Sequence, residues 1–81
     1  MNLDNLTEFL VKSLVSNPDM VSVKQFDDEE DSITIEVLVS SDDMGKVIGK
    51  RGMIANAIRT IVQASSRLNN ERYVKINIDS F

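Results

Sequence analysis

The spacing of hydrophobic positions changes along the chain, and each change marks an element. In the opening stretch Leu3, Leu6, Leu10 and Leu14 recur at three or four residues, and Phe9, Val11 and Val15 widen the stripe. That spacing predicts an amphipathic helix. Asn2 or Asp4 caps its start, Glu8 and Lys12 form a favourable pair one turn apart, and Asn17-Pro18 closes it, because proline disfavours helical geometry in the preceding residue. Period two follows. Val21 and Val23 alternate with Ser22 and Lys24 between Met20 and Phe26. Ile33, Ile35, Val37 and Val39 alternate with Thr34, Glu36 and Leu38 between Ser32 and Val39. Both runs are rich in β-branched residues and predict strands.

Five acids at 27–31 separate the two runs. Their mutual repulsion predicts a solvated hairpin loop. They lack the alternating spacing and the glycine of a calcium-binding loop. After the second strand, Ser41 or Asp42 caps a short helix over roughly 43–48, and the Gly49–Gly52 stretch interrupts it. A longer helix starts near Met53, with Ile54, Ala57, Ile58, Ile61, Ala64 and Leu68 expected on its buried face, and ends at Asn69-Asn70. The last run alternates again, Val74, Ile76 and Ile78 facing in and Tyr73, Lys75 and Asn77 facing out. The order α-β-β-α-α-β over residues 1–81 predicts a single α+β domain, a three-stranded mixed sheet with three helices on one face.

Composition narrows the chemistry. With 81 residues, 42% of them apolar, the chain supports one modest core. It contains no His and no Cys. That removes disulfides, thiolate or imidazole metal sites, and Ser-His or Cys-His nucleophile pairs. No apolar run approaches a membrane span and no leader opens the chain, so a small soluble intracellular domain is expected, with no metal and no cofactor. With no carboxylate pair near a glycine loop either, no enzymatic nucleophile or base can be named.

The net charge of −4 conceals an asymmetry. Residues 1–44 carry 2 Lys against 11 acids, and residues 45–81 carry 7 Lys and Arg against 2 acids. Between Asp43 and Glu71 there is no acid, whereas Lys46, Lys50, Arg51, Arg59 and Arg67 are basic. Such a split points to a polyanion-binding face, although scattered cations also solvate a helix.

The basic half contains Ile48-Gly49-Lys50-Arg51-Gly52 between its two helices. A helix-to-helix turn this short needs positive φ or close backbone approach, which glycine permits. Without Cβ atoms, phosphates reach backbone N–H groups beside the positive end of the following helix dipole, while Lys50 and Arg51 add charge at the tip. A bare Gly-x-x-Gly carries little information. It also fits a helix C-cap, or a close-packing pair made by Gly45 and Gly49. It is not a Walker loop, since the spacing from Gly45 to Lys50 is one short and no Ser or Thr follows the lysine.

In context the motif says more. The stretch DDMGKVIGKRGMIANAIRT resembles the KH-domain signature Val-Ile-Gly-x-x-Gly-x-x-Ile, carried here by Val47 to Gly52. A helix and strand ahead of the motif, and nothing beyond the final strand, resemble the type II arrangement. The opening FLVKSLVSNPDMVSV and the length narrow the resemblance to small stand-alone bacterial KH proteins of the KhpA family. The resemblance implies a cytoplasmic single-stranded RNA-binding protein that forms a homodimer. It also implies a heteromer with a larger KhpB/Jag-type protein, and a role in post-transcriptional control and cell elongation.

KH domains clamp about four nucleotides along this loop. Carried onto this chain, Gly49 and Gly52 admit the RNA backbone, Lys50 and Arg51 meet phosphates, and Lys46 and Arg59 add charge from the flanking helices. Val47, Ile48, Ile54 and alternate residues of the Ser32–Val39 strand form an apolar groove floor, although helical apolar stripes such as that of Ile48 and Ile54 usually belong to the core. No aromatic residue lies near the loop in sequence, so base stacking is not expected. Met53 departs from the family, which often carries a polar or basic residue there. It supports a second reading, a protein-interaction module that uses the same surface.

Overall fold

The computed structural model describes residues 2–27, 32–69 and 73–81. The acids at 28–31 and the expected helix end at Asn70 lie outside the described residues. The elements are α1 (Leu3–Lys12), β1 (Ser22–Asp27), β2 (Ser32–Val39), α2 (Met44–Ile48), α3 (Met53–Asn69) and β3 (Tyr73–Ser80), with single 3₁₀ turns at Pro18–Met20, Ser41–Asp43 and Lys50–Gly52. The expected order and the mixed sheet are both present.

β2 is the central strand. It pairs antiparallel with β1, Ser22 opposite Leu38 through Asp27 opposite Ile33, and parallel with β3, Ser32 opposite Tyr73 through Val39 opposite Ser80. A hairpin serves the first pairing; the second needs a long crossover, which α2 and α3 supply. The inward residues Ile33, Ile35, Val37 and Val39 are buried with Val74 and Ile76 of β3, Leu3 and Val11 of α1, Val47 of α2, and Ile58 and Val62 of α3.

Two helices differ from expectation. α1 ends at Lys12, not at Asn17, and its buried line is Leu3, Thr7 and Val11. Leu6, Leu10 and Val15 are partly buried against the core, but Phe9 and Leu14 are exposed. Thr7 is tolerated inside because its hydroxyl donates to the Leu3 carbonyl at 2.8 Å. Glu8 and Lys12 pair as expected, at 2.7 Å. In α3 the buried line is Ala55, Ile58, Val62 and Ser66, while Ala57, Ile61, Ala64 and Leu68 are exposed. The helix carries two apolar stripes about 140° apart at the regular helical turn, and the sheet takes the one headed by small Ala55.

β1 starts at Ser22 rather than Met20, because the chain first makes the 3₁₀ turn after Asn17. That turn is held from a distance. Asp43 is 1% exposed, and its carboxylate accepts the Ser16 and Asn17 N–H groups, each at 3.0 Å, and the Asn17 side-chain amide at 3.2 Å. Lys46 lies 3.5 Å from the same carboxylate and also bonds the Ser16 hydroxyl. Asp43 thus stands at the N-cap of α2 but its carboxylate serves the N–H groups ahead of the Pro18–Met20 turn instead. The Ser16 N–H lowers the Asp43 pKa from its ordinary 3.8 against the opposing push of burial, helped by both Asn17 donors and by Lys46.

A depressed folded-state pKa contributes stability that is present above the unfolded value and is lost as pH falls through the folded one. Asp43→Asn is therefore expected to lower the melting temperature at pH 7. The gap from wild type should narrow once the pH drops below about 3.8 and close beneath the folded-state value. Thermal melts of both proteins from pH 7 to pH 2 check this.

Candidate nucleic-acid interface

Three of the four residues at the corner between α2 and α3 lie at positive φ. Gly49 has φ 75°, Arg51 φ 57° and Gly52 φ 76°. Gly49 N–H closes the end of α2 on the Gly45 carbonyl at 2.9 Å, and Gly52 N–H bonds back to the Gly49 carbonyl at 3.2 Å. The two glycines differ in what demands them. A Cβ on Gly49 would sit 2.6 Å from Ile54 Cγ1, whereas one on Gly52 would meet only the Asn56 amide, at 3.9 Å. A Cβ on Gly45 meets nothing within 4 Å, so the alternative of a Gly45–Gly49 close-packing pair has no support. Arg51, a non-glycine residue in the left-handed region, stores strain on the order of 1 kcal/mol.

Lys50 and Arg51 are exposed at the tip, and neither has a carboxylate partner among the described residues. No acidic residue occupies the first turn of α3, so the positive end of this 17-residue helix is uncompensated. Lys46 is placed otherwise, its ammonium held by Asp43 and Ser16. Val47 is fully buried in the core and presents no surface to a ligand, which removes it from the expected groove floor. Ile54 is half-buried, packed on the core and over Gly49, while Ile48 is half-buried beside the loop.

The Ser32–Val39 strand cannot supply the floor either. Its alternate residues Ile33, Ile35, Val37 and Val39 lie beneath the helices because β2 is central. The strand beside α3 with a free edge is β3. Arg59 crosses to it, Nε donating to the Ile76 carbonyl at 3.3 Å and Nη1 to Asn56 Oδ1 at 3.2 Å. Gln63 accepts the Val74 N–H at 2.8 Å. These contacts floor a cleft of about 630 Å³ between α3 and β3, whose lining includes Arg59, Arg67, Tyr73 and Lys75. Sequence spacing had Tyr73 and Lys75 facing outward but carried no sign that β3 runs beside α3.

Among the described residues no group of His, Cys, Asp and Glu side chains is placed to hold a metal, and no helix is long and apolar enough to cross a membrane.

Residues 4–78 match the family model described as KhpA/KhpB, KH domain. The chain is 49% identical over 72 residues to the RNA-binding protein KhpA of Clostridium perfringens, covering 89% of this chain and 95% of that protein. It is 46% identical over 67 residues to that of Borreliella burgdorferi, covering 83% and 80%. Among solved structures it superposes on Era in complex with MgGDPNP and nucleotides 1506–1542 of 16S ribosomal RNA, with TM-score 0.68, 17% identity and 96% of this chain covered. A variant of Aquifex aeolicus Era bound to GDP and AlF4⁻ gives TM-score 0.71, 16% identity and 98% coverage. The chain spans only 29% and 30% of those two structures, and the likeness is one of fold, the type II KH arrangement.

The geometry separates the two glycines energetically. Gly52→Ala forces only the left-handed backbone and should cost about 1–2 kcal/mol. Gly49→Ala adds overpacking against Ile54, typically a further 1–3 kcal/mol or so, and should be the more destabilising. Urea unfolding of the two variants beside wild type checks the order.

Proposed function

The chain belongs to the KhpA/KhpB family of KH domains, and from that premise we propose that this single domain binds single-stranded RNA through the Gly49–Gly52 loop. The observation that carries the reading is the corner itself. Two glycines with positive φ hold Lys50 and Arg51 outward, unpaired, at the acid-free start of α3. Gly49 and Gly52 admit the RNA backbone, Lys50 and Arg51 meet its phosphates, and Ile48 and Ile54 offer apolar edges to the nearest base. Arg59, further along α3, adds charge beside β3. Lys46 contributes less than its charge suggests, because Asp43 already neutralises much of its field. The relatives named RNA-binding protein KhpA support the same reading. A role in post-transcriptional control in the cytoplasm, beside a KhpB/Jag-type partner, goes with it.

Changing both Lys50 and Arg51 to Asp tests the loop. The substitutions are at an exposed tip and should move stability by only about 0.5 kcal/mol. Arg51→Asp also suits the left-handed position at least as well as arginine does. With roughly 2–4 phosphate contacts, wild type should show a slope of log affinity against log salt of about −1.4 to −2.8 on a single strand. The double variant should bind far more weakly and with a flatter slope. Equal affinity in two folded proteins would remove the loop from the RNA site.

A second reading, association with a second copy or a heteromeric partner, is favoured by a separate observation. Met53, Ile61 and Leu68 are 67%, 46% and 88% exposed, and with Ala57 and Ala64 they form the outward apolar stripe of α3. Met53→Asp and Ile61→Asp should each shift a dimer to monomer without unfolding it. Sedimentation velocity over a concentration series checks this, and an unchanged profile in both variants would refute the placement.

A further inference from the structure

The two edges of the sheet are finished differently. On β3, Arg59 Nε donates to the Ile76 carbonyl and Gln63 accepts the Val74 N–H. A strand arriving at that edge finds those groups engaged. β1 is the other outer strand. Apart from its ladder to β2, no bond made by the described residues reaches Ser22–Phe26. Every second residue of an antiparallel edge strand turns its N–H and C=O away from its partner, so on β1 these groups face solvent. Helical cover is thin as well. α1 packs on β1, whereas α2 and α3 pack on β3. Gln25 points to the helix side, in register with buried Ile35, yet it is exposed, as are Lys24, Phe26 and Asp27. Six consecutive residues of β1 pair with β2 without a bulge, and none is proline, so nothing within the strand obstructs a further neighbour.

Charge selects the neighbour. Asp19 precedes the strand and Asp27 closes it, both exposed. Lys24 lies opposite Glu36, so its charge is offset within the sheet. The half of the chain that holds this edge, residues 1–44, carries 11 acids against 2 Lys. A second copy presenting the same edge brings like charge to like, and a nucleic acid brings phosphates; both are repelled. A cationic extended segment is attracted. In strand addition the main chain supplies affinity and alternate side chains supply choice. Phe26, in register with Thr34 on the open face of the sheet and 47% exposed, offers the apolar contact for one such side chain. We propose that the free edge of β1 docks an extended peptide segment of a partner protein, flanked by Lys or Arg, as a strand added outside β1. The site does not depend on the RNA reading, because β1 stands at the opposite edge from β3 and takes no part in the glycine corner.

The test titrates the whole ¹⁵N-labelled protein with a seven-residue peptide of alternating Val and Thr, closed by a Lys at each end and with blocked termini. Amide shifts should centre on Ser22–Asp27, and every second amide there should gain protection from hydrogen exchange, while Gly49–Gly52 stay unmoved. N-methylating one alternate set of peptide amides should abolish binding and N-methylating the other should spare it, since only one set faces β1. Replacing both peptide Lys by Glu should weaken binding by about tenfold at low salt, a gap that closes as salt rises. Phe26→Ala and Asp19→Lys should each weaken it by about fivefold, with melts showing both variants folded. Shifts centred elsewhere, equal tolerance of the two N-methylated peptides, or no binding at millimolar peptide would overturn strand addition at β1. Equal affinity for the basic and acidic peptides would overturn the cationic partner. Protection of β1 that rises with protein concentration alone, or shifts of β1 on adding short single-stranded RNA, would assign the edge to another occupant and overturn the proposal.

Discussion

Two parallel neighbours cannot be joined by a hairpin, so everything between Val39 and Tyr73 must travel from one end of the sheet to the other across its face. That pairing of β2 with β3 places β2 in the centre, buries its four inward side chains and obliges the crossover to be helical. One straight helix would suffice to make the crossing. This chain uses two, and the corner between them is where its most specialised backbone lies. β3, as the outer partner, is left with one free edge, and α3, lying beside it, makes that edge into the wall of a cleft.

The corner is held by packing as much as by conformation. Ile54 closes over Gly49 so tightly that no side chain fits, which ties the start of α3 to the end of α2. Gly52 needs only its backbone freedom. Arg51, between them, keeps a strained conformation that glycine would adopt more easily. What that strain secures is a cation at the tip, beside a helix end that carries no acid to offset it.

Electrostatics are divided along the same lines. The acid that precedes α2 is turned inward: Asp43 is buried, fully engaged with the segment after α1 and with Lys46, and so removed from the surface near the loop. The same contact fixes where α2 begins, and with it the position of the glycine corner. A chain of net charge −4 can thus present a locally cationic face.

Much of the fold was legible from residue spacing. The number, order and type of elements follow from periods of two and of three to four, and β2 was bounded to the residue because alternating Ile and Val leave no second register. The glycine corner was legible too, since few contexts need two glycines around two cations between helices. The rest depended on partners far apart in the chain. α1 stops at Lys12 because Ser16 and Asn17 give their N–H groups to Asp43, a contact no local pattern announces. α3 offers two apolar stripes, and periodicity alone cannot tell which one the sheet takes. Val47 and Lys46 looked available beside the loop, but the core and Asp43 claim them. The sequence by itself determined the elements and the loop, because both are encoded over a few neighbouring residues. Only the tertiary structure decided which helix face is buried, which strand stands at the edge, and that α3 and β3 line one cleft, because those depend on strand order and on the direction in which α3 crosses the sheet.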